Sequence, residues 1–388
     1  MLGKLRPVGS RVPRPDASSG LGLSWNDHYR TEFTGSGTEA LSIAVAIAIA
    51  HKPEVREPEV IIPAYGCPDL VSAIIAQGGK PVLVDLLPES PYMNEARVRD
   101  VITTETVAVV GVDFLGIPER LDVLSQICRD KNLFLIEDSA QRFPPVSSDK
   151  PLADLVVLSF GRGKPINLMG GGAVFIRREL ADRSLAVVDR YPLSDLVTGF
   201  TWMLKRSVFN LLMARFPYYF LEKIPLLGIG ETRFRKLKMI SRLELPAELV
   251  SSGIRYFHGR PLIHRLYDRE LRFIETFGWK LLGKRESGRA CGDPDSETPR
   301  LRYAVLAPDN ELRNQALRSL NRSGIGATAF YNNTLPRIEG VDELLKEEHF
   351  PCADDFASRL LTLPCHEDVK AADIALIANI FSELGIHR

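Results

Sequence analysis

Leu155-Val156-Val157-Leu158-Ser159-Phe160-Gly161-Arg162-Gly163-Lys164-Pro165, followed by Gly170-Gly171-Gly172, reads as a buried strand that runs into a glycine-loosened turn carrying one lysine. An apolar run without alternation is what a strand covered on both faces requires. Upstream, Leu133-Phe134-Leu135-Ile136 ends in Glu137-Asp138-Ser139-Ala140-Gln141, which delivers a carboxylate at the end of another such strand. Earlier still, Thr34-Gly35-Ser36-Gly37-Thr38 precedes a helix-period segment. Backbone N–H groups and the positive end of a helix dipole are therefore offered at a turn of small residues.

Outward from these stretches, the chain from Thr38 to about Arg177 alternates strand-period and helix-period segments. Strands are expected at 59–62, 81–85, 106–112, 133–138, 154–160 and 172–176, and helices at 39–50, 69–77, 95–102 and 120–131. This is the pattern of a parallel sheet with helices on both faces, a large α/β domain. From about 196 to 229 the composition changes, with Phe200, Trp202, Phe209, Phe216, Tyr218, Tyr219 and Phe220 crowded together in a segment that reads as helical. Arg215, Pro217, Glu222 and Lys223 interrupt it before it reaches the roughly 18 to 20 apolar residues of a membrane span. A polar loop is expected at 285–299, then a strand at 301–306, an amphipathic helix at 310–322 and a closing helix at 371–384. The expected division is an N-terminal arm with a large domain over 1–246, and a smaller α/β domain over 247–388.

The 49 basic and 49 acidic residues cancel, so no overall field draws the chain to nucleic acid, and any anion must be held by a local site. Cys67, Cys128, Cys291, Cys352 and Cys365 are scattered, without the spacing of a zinc site or a disulfide framework. No metal is expected, and a reducing cytoplasm is. The first fifteen residues are basic without an apolar core of leader length, and they read as a flexible arm.

A lysine on a turn, a carboxylate at a strand end and a phosphate-sized turn before a helix suit pyridoxal phosphate. Its aldehyde needs an amine to hold it, and its ring nitrogen needs a carboxylate to keep it protonated. Two other phosphate motifs fail. In a mononucleotide P-loop, Leu158 would stand at the first glycine and Pro165 at the Ser or Thr. A dinucleotide fingerprint over Gly35-Ser36-Gly37 lacks the preceding long apolar strand.

Taken in order, Ser36-Gly37-Thr38-x-Ala40-Leu41, Ile62-Pro63-Ala64-Tyr65, Gly79-Lys80-Pro81-Val82-x-Val84-Asp85, Glu137-Asp138-Ser139-Ala140-Gln141, and Ser159-Phe160 with Lys164 and Gly171-Gly172 resemble the DegT/StrS-type sugar aminotransferases. Gly324-Ile325, Tyr331 and Leu363-Pro364-x-His366 resemble the same family's small domain. The resemblance implies a fold-type I pyridoxal-phosphate transferase, with a mostly parallel seven-stranded sheet in the large domain. It implies that Lys164 carries the cofactor and moves protons, and that Asp138 pairs with the pyridinium nitrogen. Gln141 would touch the ring substituent, and Ser159, Gly37 and Thr38 the phosphate. The implied reaction moves an amino group from an amino acid, glutamate by analogy, to a keto-sugar nucleotide, in a cytoplasmic homodimer. Tyr331 and His366 are read as a buried tyrosine and a satisfied histidine, outside the catalytic set.

Cys67 stands where many members place an aromatic on the cofactor, and Asp113 where a histidine is usual, so different substrate contacts are expected. No partner-subunit asparagine motif comes after the lysine strand, which leaves Asn210 as a stand-in. The aromatic segment is read as dimer packing in preference to a membrane-surface helix. The alternative reading of the whole chain is a regulator or assembly subunit of a polysaccharide pathway.

Overall fold

The computed structural model describes residues 3–16, 27–148, 150–222, 224, 232–283, 298–345 and 348–386. Its large sheet is built from β1 (Tyr29–Thr34), β2 (Glu59–Pro63), β3 (Lys80–Val84), β4 (Thr106–Val112), β5 (Phe134–Asp138), β6 (Leu155–Ser159), β7 (Gly172–Arg177), β8 (Leu193–Asp195) and β9 (Arg242–Glu244). Their order is β3-β2-β4-β5-β6-β7-β1-β9-β8. From β3 to β6 the neighbours run parallel, and β7 runs antiparallel to both β6 and β1. Alternate residues feed two separate cores: Val110, Ile136, Val157 and Val174 face one side, while Val109, Leu135, Val156 and Phe175 face the other. That is why these strands read as continuous apolar runs.

The expected seven strands form the body of the sheet, and the three-residue strands β8 and β9 extend it to nine. β1 is not among the strands that the apolar pattern predicts. Its sequence, Tyr-Arg-Thr-Glu-Phe-Thr, is too polar to read as buried, and it is recruited by its pairing with β7.

Helices α1 (Gly37–Ala50), α2 (Asp69–Ile75), α3 (Glu95–Val101), α4 (Leu121–Asp130) and α5 (Ala181–Val188) cover this sheet. α1 is buried on every side from Ala40 to Ala48, as its near-uniform apolar sequence requires. Its one polar residue in that stretch, Ser42, donates to the Ala73 carbonyl at 2.9 Å. The aromatic segment forms the hairpin α6 (Phe200–Leu212) and α7 (Arg215–Leu221). Beyond it lie α8 (Ala247–His258), α9 (Ile263–Glu270), α10 (Asn310–Arg322), α11 (Pro351–Arg359) and α12 (Ala371–Ile386), with a second sheet ordered β10-β11-β12 from Lys280–Leu281, Arg302–Leu306 and Leu360–Pro364. Most of the polar loop expected at 285–299 lies outside the described residues. Among the described residues, no helix is long and apolar enough to cross a membrane.

The flexible arm expected at the N-terminus is instead docked over 3–16. Leu5 is fully buried, and its N–H donates to the Gly324 carbonyl at 2.9 Å. Gly326 has no room for a side chain, because a Cβ there would sit 2.2 Å from the Leu5 carbonyl oxygen. Arg6, 2% exposed, donates to the carbonyls of Gly9 and Met213 and to the carboxylates of Glu367 and Asp368. A buried guanidinium is tolerated when its donors and charge are all matched, as here. Arg6→Ala would take the most buried partner from two carboxylates and leave them to Arg11 and Arg260, and we expect it to lower unfolding free energy by about 3 kcal/mol, measured by urea titration.

Candidate active site

β5, β6 and α1 place their ends together. Ser36 caps α1: its hydroxyl accepts from the Glu39 N–H at 3.2 Å and donates to the Glu39 carboxylate at 2.9 Å. Glu39 in turn accepts from the backbone and hydroxyl of Ser241, both at 2.8 Å. With the cap so fixed, the helix N-terminus is presented at Gly37 and Thr38. Gly37 lies against Ser159, and a Cβ at Gly37 would come within 2.5 Å of the Ser159 Cβ. Thus the expected phosphate contacts Gly37, with its neighbour Thr38, and Ser159 come together although they lie far apart in sequence. The Thr38 hydroxyl itself is engaged, donating to Asp69 at 2.9 Å.

Lys164 is half-buried in the turn after β6, where its N–H closes onto the Gly161 carbonyl at 3.3 Å. Asp138 ends β5, is 9% exposed, and accepts one hydrogen bond, from Ala140 N–H at 3.0 Å. Burial raises its pKa, and the Lys164 ammonium pulls in the opposite direction, so lysine and aspartate lie within electrostatic reach of each other. Lys164 acts in the same way on Cys67, whose thiol burial pushes up to about 12.

A short polar chain lines the same space. Tyr331 accepts from the Gln141 amide at 3.1 Å and lies close enough to Cys67 for each to raise or lower the other's pKa, while the Gln141 carbonyl accepts from Leu115 N–H at 3.2 Å. Tyr331 stands at the edge of an aromatic cluster with Tyr65, Phe114 and Phe330. It therefore belongs to the site wall, a place that spacing did not reveal. Asp69 is a second residue that sequence reasoning missed. In Cys67-Pro68-Asp69 it reads as an ordinary helix start, yet it anchors Thr38 and bears electrostatically on Cys67, Asp138 and Tyr331. His366 is satisfied away from the site, against the Arg6 carbonyl at 2.9 Å, and burial lowers its pKa well below the ordinary value.

Two expectations are corrected by the geometry. Asn210 cannot stand in for a partner-subunit asparagine, because its amide is closed on Val12, accepting from N–H at 2.8 Å and donating to C=O at 3.0 Å. Asp113 faces inward and is fully buried, so it does not alter substrate contacts. The Ser139 hydroxyl touches both Asp113 and Glu137, the latter at 2.9 Å, and its single proton serves only one of them. Burial, with the Glu137 charge beside it, raises the Asp113 pKa well above its ordinary value, so the fold favours a proton on this carboxyl, which would let Asp113 donate to Ser139 and Ser139 to Glu137.

That shift fixes the sign of the pH effect. The folded chain keeps a proton that the unfolded chain releases above pH 3.8, so this group's contribution to stability declines as pH rises past that value. Asn at 113 can also accept from Glu119 N–H and donate to Ser139. Asp113→Asn is therefore expected to change unfolding free energy by less than about 1 kcal/mol at pH 5 and to flatten its fall toward pH 8, whereas Asp113→Ala costs about 2–3 kcal/mol. Chemical denaturation across that pH range checks both.

These features fit pyridoxal phosphate. A buried carboxyl with one hydrogen bond and a raised pKa suits a ring cation. The side-chain-free approach of Gly37 to Ser159 at a helix N-terminus suits a phosphate, and Lys164 supplies an amine between them. Among the described residues, no group of His, Cys, Asp and Glu has the arrangement of a metal site.

Comparison with known proteins agrees with this geometry. Residues 31–196 and 256–382 match the profile of the DegT/DnrJ/EryC1/StrS aminotransferase family. The chain is 25% identical over 366 residues, 93% of its length and 86% of the relative's, to a dTDP-4-dehydro-2,3,6-trideoxy-D-glucose 4-aminotransferase of Saccharopolyspora spinosa. It is 31% identical over 155 residues, 39% of its length and 41% of the relative's, to a GDP-perosamine synthase of Escherichia coli O157:H7. In fold it is similar to Helicobacter pylori PseC, an aminotransferase involved in the biosynthesis of pseudoaminic acid, with a TM-score of 0.66, 16% identity and coverage of 99% and 100% of the two chains. A Bacillus subtilis protein, NtdA, solved with its cofactor PMP bound, gives a TM-score of 0.67 at 17% identity, over 93% of this chain and 74% of that one.

Proposed function

The chain belongs to the DegT/DnrJ/EryC1/StrS aminotransferase family and is a pyridoxal-phosphate enzyme; from that premise we propose that it moves an amino group from an amino acid, glutamate first, to the keto carbon of a nucleotide sugar. Cell-surface polysaccharide or amino-sugar synthesis is the setting this reading gives it. The observation that supports it is the electrostatic nearness of Lys164 to Asp138, together with the close approach of Gly37 to Ser159 at the start of α1. The sugar-nucleotide names of the relatives support the acceptor class.

When bound, the cofactor supplies an aldehyde that takes up amines and a ring that accepts an electron pair. The protein supplies the rest. Gly37, Thr38 and Ser159 hold the phosphate. Asp138, kept from water at the end of β5, holds a proton on the ring nitrogen by its negative charge. Lys164 Nζ, at the end of a long side chain on that turn, takes the proton from the donor's α-carbon and returns one nearby, and on the sugar it works in reverse. Cys67, whose thiol is held neutral by burial, would be the residue beside the ring where many members place an aromatic. We further propose a two-fold dimer with sites completed across its axis.

The rival reading, a non-catalytic assembly subunit, drew on Asp113, Cys67 and the aromatic segment, of which Asp113 is fully buried against Ser139 and the Glu119 N–H. Purified protein loaded with pyridoxal phosphate is expected to be yellow, and to bleach when glutamate is added. Bleached protein presented with a set of keto-sugar nucleotides then regains colour with the true acceptor. Colour that no amino acid bleaches would overturn the proposal.

A further inference from the structure

Arg302 begins β11 on the strand face it shares with Ala304 and Leu306, which pack into the same apolar core as Tyr65, Phe114 and Tyr331. Tyr303 and Val305 alternate to the other core. A cation is thus set against the wall of the candidate site. Arg302 is 6% exposed, its guanidinium lies 4.5 Å from the centre of the Phe330 ring, and Nη1 donates to the hydroxyls of Thr328 at 2.8 Å and Thr362 at 3.3 Å. Nε is buried with no partner, and among the described residues no carboxylate pairs with this arginine. Arg313, on α10 and 4% exposed, repeats the situation. Its Nη1 donates to Asn332 at 3.2 Å, its Nε is buried with no partner, and no described carboxylate pairs with it.

Burying a charge without a counter-ion is costly. Elsewhere the chain meets the requirement: Arg6 and Arg260 are buried as deeply, and each pairs with Glu367. Burial lowers the pKa of Arg302 to about 10 and lowers that of Arg313 as well. Besides burial, tyrosines act on them: Tyr331, Tyr218 and Tyr65 on the first, Tyr65 on the second. Burial raises the pKa of each of these tyrosines and keeps it uncharged, so two cations act near Tyr65 unopposed. A bound water would satisfy Nε and leave the charge as it is. The backbone between the two arginines adds an independent sign. Tyr331 and Asn332 are consecutive left-handed residues, with φ of 64° and 56°, held by the Gln141 bond to Tyr331 and by the Tyr65 hydroxyl on the Phe330 carbonyl. Such strain in non-glycine residues collects where ligands are gripped. The Nε edge of a guanidinium whose Nη1 is already committed suits the paired oxygens of a carboxylate or a phosphate.

We propose that Arg302, with Arg313 adding its charge, forms an oxyanion subsite beside Tyr331 that takes an anionic group of a substrate, the carboxylate of the amino donor or the diphosphate of the acceptor. The identity of the ligand rests on the aminotransferase reading; the binding itself is tested without turnover. Holoenzyme, with the cofactor's own phosphate in place, is titrated at fixed ionic strength with glutarate and separately with inorganic pyrophosphate, and its melting temperature is followed. One of the two is expected to stabilise the wild type saturably, by about 4 °C or more. Arg302→Met keeps the stem and removes the charge. It is expected to bind that anion at least about tenfold more weakly, yet to melt no lower than the wild type when no anion is present. Arg302→Lys, a charge without the fork, should keep part of the affinity. In the half-reactions Arg302→Met should raise the KM for glutamate if glutarate is the ligand, or for the sugar nucleotide if pyrophosphate is, with kcat changed by less than about threefold. A wild type that neither anion stabilises overturns the proposal, and so does a stabilisation that Arg302→Met retains. Anion binding through Arg302 in protein that glutamate never bleaches would leave the subsite standing and remove the reaction; bleaching without anion binding would do the reverse.

Discussion

Lys164→Ala protein is expected to lose amino transfer by a factor of about 10⁴ or more, in the glutamate half-reaction and in the sugar half-reaction alike. The amine does two jobs, holding the aldehyde and moving the proton, and alanine does neither. Among the described residues, Asp138 and Cys67 both feel the Lys164 charge, and no other lysine acts on either group. The cofactor should still be retained through Gly37, Thr38 and Ser159, with its colour shifted. Single-turnover absorbance with each substrate measures the loss, and a wild-type rate in either half would remove Lys164 from its role.

For Asp138→Asn, activity and stability should move in opposite directions. A carboxylate beside the ring nitrogen raises that nitrogen's pKa by roughly one to three units, each about 1.4 kcal/mol, so the neutral amide is expected to slow both half-reactions by about 10²–10³. In the cofactor-free protein the carboxyl is disfavoured by its own burial, which raises its pKa. The unfolded chain loses that proton more readily, so at neutral pH the charge opposes folding, and the amide relieves the cost. The variant's cofactor-free melting temperature is therefore expected to equal or exceed that of the wild type. A variant that is both slow and less stable would mean that Asp138 is a structural cap.

The catalytic pair is legible in the sequence for a physical reason. Strands buried on both faces announce themselves by unbroken apolar runs, and the residues just past their ends, Asp138 after Ile136 and Lys164 after Leu158, are delivered to one edge of the sheet. The cap of α1 is legible because Ser36 and Glu39 lie one helical turn apart. The hidden contacts rest on partners far along the chain. Gln141 and Tyr331 meet across 190 positions and Arg6 and Glu367 across 361, and neither pair has a local pattern to betray it. Asp113 looks like a substitution in the site because its position in the motif is visible and its direction is not. The hairpin reads as aromatic and helical, but which of its sides faces outward is decided by the arm it packs on.

That arm also imposes an order of events during synthesis. Leu5 and Arg6 leave the ribosome long before the groups that bind them, Gly324, Glu367 and Asp368. Until then the hairpin and the turn bearing Lys164, where Ser10 accepts from Asn167 at 2.7 Å, lack the strand that ties them down. Translation thus yields a nascent enzyme with its sheet assembled and its catalytic corner loose, and the last seam closes only once the C-terminal region has emerged.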